Sequence, residues 1–118
     1  MRNNLHNIIF TILTISLIYS IYTNYNEKKQ LILNAVLSNN ISAVKFLINN
    51  NFDINMKYNH SHTLLHSAAL YGDINMVKLL VESGAKILEN DFNLTPIDSA
   101  SDFKHLDVVK YLQTKGAF

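Results

Sequence analysis

Thr63-Leu64-Leu65-His66-Ser67-Ala68-Ala69-Leu70-Tyr71-Gly72 overlies Thr95-Pro96-Ile97-Asp98-Ser99-Ala100-Ser101-Asp102-Phe103-Lys104 when the chain is slid along itself by 32 residues. Threonine, the apolar residue two places on, serine and alanine fall at the same places in both windows. Further along, Gly84-Ala85 overlies Gly116-Ala117 in the same register. A third copy lies upstream at a shift of 33, where Ala35 pairs with Ala68 and Val44-Lys45-Phe46-Leu47-Ile48 pairs with Val77-Lys78-Leu79-Leu80-Val81. A fixed period of this length means that one small structural unit has been stacked on itself.

Each unit reads as two short antiparallel helices. The first helix runs from Thr63 to Tyr71 in the middle unit and from Thr95 to Phe103 in the last. A threonine hydroxyl at the start can accept a bond from an orphan N–H of the first turn. Pro96 falls at the first helical position, where a missing N–H costs nothing. Asp98, three residues after its cap, resembles the closing member of a capping box, and His66 holds the same place in the middle unit. Small residues at Ala35, Ala68, Ala69 and Ala100 let neighbouring helices approach. Gly72 is placed to end the first helix in a left-handed conformation, with Asn39 and Lys104 as its counterparts. Ile74, Val77, Leu79 and Leu80 mark the second helix, matched by Leu106, Val109, Tyr111 and Leu112; Gly84, Gly116 and Asn51 stand at its end. Ile54 and Ile87 are expected to point inward from the loops that return to the next unit.

The windows Thr63–Gly72 and Thr95–Ala100 resemble the T-P-L-H-x-A motif of the ankyrin repeat. Val77-Lys78-Leu79-Leu80 with Gly84-Ala85, and Val109-Lys110-Tyr111-Leu112 with Gly116-Ala117, are similar to its second half. Asn51-Phe52-Asp53-Ile54-Asn55 looks like the family's G-A-D-x-N stretch with its first two residues altered. The resemblance spans Gln30 to Phe118. It implies an all-α solenoid of stacked helix-turn-helix units: a degenerate first repeat over 30–62, a second over 63–94 and a third over 95–118. The structural motif is carried by Thr63, His66, Gly72, Gly84, Thr95, Pro96, Asp98 and Gly116. Departures fall in the connecting loops, Met56–His62 and Leu88–Leu94, where the family usually places Asp and Gly.

Upstream of the repeats, Ile8 to Tyr22 contains no charge, glycine or proline. About 20 apolar residues cross a bilayer core, with roughly 17 as the lower limit, and Leu5 to Thr23 reaches that range. Residues 1–23 are therefore expected to form one hydrophobic helix that anchors the chain as a single pass, with 24–29 as a short tether. A cleaved signal peptide, leading to secretion, and a buried helix of a soluble protein stay open as alternatives. Against cleavage, the residues two places before Ser20 and Thr23 are Ile18 and Ile21, where small residues are wanted. Arg2 on one side faces Lys28-Lys29 offset by Glu27 on the other, so charge barely sets the orientation.

The full chain of 118 residues carries a formal net charge of +1 and no cysteine. Disulfides, thiolate metal sites and a cysteine nucleophile are excluded, and no strong field favours nucleic acid. His60, His62 and His66 are close in sequence, but His66 has a structural explanation and no carboxylate completes a metal site. Ser67 with His66 and Asp73 is no triad, for no nucleophile turn surrounds the serine. All three glycines stand at predicted helix ends rather than in a phosphate loop. No cofactor, metal, small-molecule substrate or catalytic residue is expected.

Repetition aligns the loops and first helices of successive units into a continuous concave face. Its variable positions are Asn34, Leu37 and Ser38, then Ser67, Leu70 and Tyr71, then Ser99, Asp102 and Phe103. Leu37, Leu70, Tyr71 and Phe103 form an apolar stripe with Asp102 beside it, and Tyr58, His60, His62, Asp91 and Phe92 stand at the loop tips. Exposed aromatic and apolar side chains of this kind concentrate at the centres of interfaces. The expected function is a non-catalytic module that binds an unidentified protein and is anchored in or exported across a membrane. The rival expectations are a decayed or fragmentary, membrane-proximal array with no specific partner and, behind it, a histidine-based metal protein.

Overall fold

The computed structural model describes residues 2–116. Six α-helices account for its regular structure, α1 (Arg2–Leu37), α2 (Ile41–Asn49), α3 (Leu64–Tyr71), α4 (Ile74–Glu82), α5 (Pro96–Asp102) and α6 (Leu106–Thr114), with one 3-10 turn at Asn59–Ser61. No strand is present among the described residues. The chain divides into two compact units, Met1–Leu31 and Ile32–Phe118.

Within the first unit α1 exposes its apolar side chains from Leu5 to Tyr25, with Tyr19 at 69 %. The helix is long and apolar enough to cross a membrane. Its hydroxyls are satisfied inside the helix: Thr11 donates to the Asn7 carbonyl at 2.7 Å, Thr14 to Thr11 at 2.8 Å and Thr23 to Ser20 at 3.0 Å. Such back-bonding removes the cost of carrying a hydroxyl into an apolar medium. Residues 24–29, expected as a tether, are helical. The reason lies at Gln30, which holds the register place of Thr63 and Thr95 but has no short side chain to cap a helix, and no Gly or Pro precedes it. Nothing stops the helix, so it runs on into the first repeat.

In the second unit the first helices of the second and third repeats pair with the helices that follow them, and like helices stack on like from α2 onward. α3 packs on α4 and α5 on α6, while α3 meets α5, α2 meets α4 and α4 meets α6. Ile32, Ala35, Val36, Val44, Leu47, Leu64, Leu65, Ala68, Ala69, Met76, Val77, Leu80, Ala100, Val108 and Leu112 form the core. Ile54 is buried, and Ile87 lies half-buried against the same core. Tyr111 of α6 has the ammonium of Lys78 from α4 at 5.7 Å and that of Lys115 at 5.6 Å from its ring centroid, a cation–π link between units worth about 0.5–1 kcal/mol.

The helix ends follow from the residues found there. Asn40 caps α2 by accepting the Ala43 N–H at 3.1 Å. Asn39, Gly72 and Lys104, which close the first helices of the three units, have φ of 52°, 73° and 60°. The same left-handed turn is thus made three times, with glycine only once. At Gly72 a side chain is doubly excluded. A Cβ there would run into the His105 imidazole, in addition to the penalty of its positive φ.

Candidate functional site

The internal architecture of the loop-bearing side begins with two capping boxes. In the second unit Thr63 Oγ1 accepts the His66 N–H at 3.4 Å, and His66 Nδ1 lies 3.2 Å from the Thr63 backbone nitrogen. A backbone N–H can only donate, so Nδ1 is the acceptor and the proton of neutral His66 sits on Nε2. Nε2 then donates to the Leu94 carbonyl at 3.0 Å, in the loop that precedes the third unit. Thr63 and His66 are both buried. In the third unit Asp98 Oδ2 accepts the Thr95 N–H at 2.7 Å and its hydroxyl at 2.9 Å, while Thr95 Oγ1 accepts the Asp98 N–H at 3.4 Å.

The two loops are pinned to each other. Asp91 N–H donates to the His60 carbonyl at 2.9 Å. Asn90, buried, uses its Oδ1 to accept the N–H groups of Phe92 at 2.9 Å and Leu94 at 3.1 Å. That fixes its amide, and Nδ2 must be the atom 3.3 Å from His62 Nδ1, which therefore accepts. The rings of His62 and His66 lie 4.7 Å apart, and that of His60 lies 5.1 Å from Phe92. Three loop residues other than glycine adopt positive φ: His60 at 57°, Ser61 at 58° and Asn93 at 58°.

Burial, and after it the charge of His60, lowers the pKa of His62 below 6.5. For His66 burial also comes first; the bond to Leu94 and the Asp98 carboxylate oppose it, and His62 adds to it. A folded pKa below the unfolded value means the unfolded chain takes its protons first as pH falls. The stability tied to neutral His62 and His66 is therefore full above 6.5 and is lost as pH falls through the folded values.

Across the first helices, Tyr71 is 58 % exposed and Phe103 60 %, at equivalent places in successive units. Leu37 is 39 % exposed, Leu70 half-buried, and Asp102, Asn34 and Ser38 exposed. Ser67 is half-buried and Ser99 buried, so neither presents its hydroxyl freely. At the loop tips Phe92, His60 and Asp91 are exposed, whereas Tyr58 is half-buried against the core. Tyr58 thus serves packing more than it serves an outer surface. Phe46, on α2, is a further exposed aromatic residue at 66 %.

Three residues that sequence reasoning missed join the units. His105 Nε2 donates to the Leu70 carbonyl at 3.0 Å. Asn55 donates through Nδ2 to the Gly84 carbonyl at 3.2 Å and accepts the Lys86 N–H at 2.7 Å. Asn90 organises the second loop as described. Only Asn55 carried a signal, as the last residue of the G-A-D-x-N-like stretch. The other two act on partners about a unit away, which periodicity does not disclose.

Both ring nitrogens of His66 are engaged, and Nδ1 of His62 faces an amide. Among the described residues no group of three or more His, Cys, Asp or Glu side chains is placed to hold a metal ion. Residues 31–118 match a family model described as ankyrin repeats, in three copies. No curated protein matches the chain.

Proposed function

Because the chain belongs to the ankyrin repeat family, a family of protein–protein interaction modules, we propose that it captures a protein partner on the face built by its first helices and loop tips. Tyr71 and Phe103 are the observation that carries this reading. Two large aromatic rings are left in water at the same place in successive units, where a globular surface ordinarily avoids stacking apolar area. Leu37 and the exposed edge of Leu70 extend the stripe, Asp102 gives it a charged rim, and His60 and Phe92 border it from the loops. Aromatic anchors in a polar surround are the usual shape of a binding hot spot. Tyr58 belongs to this set only through its exposed part.

Residues 5–23 are proposed to hold the module in a membrane as a single pass, with 1–23 as the anchor and repeats over 30–62, 63–94 and 95–118. The support is the run of exposed apolar side chains on α1 from Leu5 to Tyr25 and the internal bonding of its threonine hydroxyls. No catalytic role is proposed.

A photo-crosslinking amino acid placed at Tyr71 or Phe103 in the native host should trap a protein adduct. The same probe at Lys45, on α2, should trap none or a different one. Tyr71→Ala with Phe103→Ala should abolish the adduct from a probe at Asp102 while the circular dichroism spectrum is unchanged; an undiminished adduct would refute the assignment. For the anchor, a C-terminal tag should stay with carbonate-washed membranes at full length. A shortened, soluble tagged product would instead establish a cleaved signal.

A further inference from the structure

The loop that precedes the second repeat meets the loop that precedes the third with more histidine chemistry than a cap requires. His60, His62 and His66 lie within seven residues of one another and converge on the Asn90–Leu94 loop. Each of two contacts in this cluster is closed by an imidazole lone pair. His62 Nδ1 accepts from Asn90 Nδ2, an orientation forced by the two backbone N–H groups on Asn90 Oδ1. His66 Nδ1 accepts from the Thr63 N–H. Add a proton to either nitrogen and a donor faces a donor. No rotation of Asn90 repairs this, because turning its amide would strand Phe92 and Leu94. At His66 the Thr63 hydroxyl, 2.9 Å from Nδ1, can accept the added proton, but the buried Thr63 N–H then loses its acceptor.

The surrounding charges do little to rescue the protonated forms. Beside His62 stand His60 and His66, both of the same sign when charged. Against His66, the helix α5 presents Asp98, the one carboxylate that acts on it, but Asp98 Oδ2 is already committed to the Thr95 N–H and hydroxyl.

We propose that this cluster is an acid-sensitive clasp: proton uptake at His62 breaks its bond with Asn90, proton uptake at the more buried His66 breaks its bond with the Thr63 N–H and drives the charged ring, with its tie to Leu94, out of the buried site, and the Asn90–Leu94 loop is released from the second repeat while the helix pairs remain folded. The released loop carries Phe92 and, by its Asp91 N–H, the tie to the His60 carbonyl. Opening therefore moves both loop tips, His60 and Phe92. The clasp is closed at neutral pH and lets go in an acidic compartment or at an acidic surface. Its existence does not depend on the membrane reading or on the identity of a partner.

The test is NMR on the full chain in detergent micelles, titrated from pH 7.5 to 4.5. Ring nitrogen shifts report the tautomer and proton of each histidine, and backbone amides report the loops. His66 should begin as the Nε2–H tautomer. The amide signals of Phe92 and Leu94 should move with the midpoints of His62 and His66, while those of α4 and α6 stay. Corrected for intrinsic rates, protection of the Leu94 amide should fall by about tenfold per pH unit for each histidine that binds a proton on opening. His62→Asn supplies an amide oxygen near the place of Nδ1 and cannot titrate. His66→Asp copies the cap of the third repeat. The first should remove the earlier phase of the Phe92 and Leu94 titration and the second the later one. Loop signals that ignore the histidine midpoints, or α4 and α6 amides lost together with the loop, would overturn the proposal.

Discussion

In the second repeat Thr63 and His66 close a capping box and His66 reaches on to Leu94; in the third, Thr95 and Asp98 close the same box and stop there. The two boxes serve α3 and α5 equally well, since each satisfies the orphan donors of a first turn. What separates them is the far side of the ring. A neutral imidazole is an acceptor on one edge and a donor on the other, whereas a carboxylate only accepts. Position 66 lies between two units and needs both edges. Position 98 is engaged by Thr95 through one carboxylate oxygen. The comparison shows that a repeat motif is not a uniform stamp: where one residue both caps its helix and donates to the next loop, an imidazole serves and a carboxylate cannot.

The largest effect should come from breaking the two-edged cap. His66→Ala removes the cap, strands the Thr63 N–H in a buried site and leaves a cavity. We expect a loss of about 3 kcal/mol, from roughly 1 for the cap and 1–3 for the unpaired buried donor. Asp98→Ala removes only the local box and should cost about 1 kcal/mol. Thermal unfolding of the full chain in detergent, followed by circular dichroism, compares the two. Equal costs would mean that the reach to Leu94 contributes nothing.

The closing turns offer the next contrast. Gly72 and Lys104 make the same left-handed turn, but only Gly72 has the His105 ring against it. Gly72→Ala should destabilise by about 2–3 kcal/mol, combining the left-handed penalty with overpacking. Lys104→Gly removes such a penalty and should stabilise by roughly 0.5–1 kcal/mol. If Gly72→Ala carries also His105→Ala, the overpacking part should be relieved and the left-handed part should remain. A double variant no better than Gly72→Ala alone would show that the ring approach is unimportant.

The pH dependence sharpens the same pair of caps. Wild-type stability should decline as pH falls below 6.5, because His62 and His66 are held neutral by burial. His66→Asp, which gives the second repeat the third repeat's cap, should flatten part of that decline while lowering stability at neutral pH. A decline unchanged in slope would remove His66 from the account.

These contrasts also explain what is legible in the amino-acid sequence. Helix starts at Thr63 and Thr95, the proline at the first helical position and the turns at Gly72, Asn39 and Lys104 are local, so a few adjacent residues encode them. The core positions follow from period and apolarity together. The helicity of residues 24–29 was not legible because it depends on something missing, a cap at Gln30. His105 to Leu70 and Asn90 to His62 were not legible because each joins residues about 30 positions apart through single polar atoms. For the candidate face, exposure separated residues that sequence had grouped. Tyr71, Phe103 and Phe92 stand in water, Tyr58 leans on the core, and Leu70 is half covered by its neighbours. Side-chain direction at a loop tip is decided by the next unit, which a single repeat does not specify.

The smallest predicted effect compares the loops themselves. Ser61 and Asn93 hold the same place before Thr63 and Thr95, and both are left-handed, at 58° each. Asparagine tolerates that region because its short amide bonds to nearby backbone; serine is less suited to it. Glycine at either place removes the side-chain penalty but adds chain entropy to the unfolded state. The balance should favour Ser61→Gly by roughly 0.5 kcal/mol and leave Asn93→Gly within a few tenths of zero. Thermal shifts of the two variants and their double decide the matter, and the double should equal the sum only if the loops act independently. Since Asp91 N–H ties them through the His60 carbonyl, we expect the double to fall short of the sum. Strict additivity would place each loop's strain wholly within its own repeat.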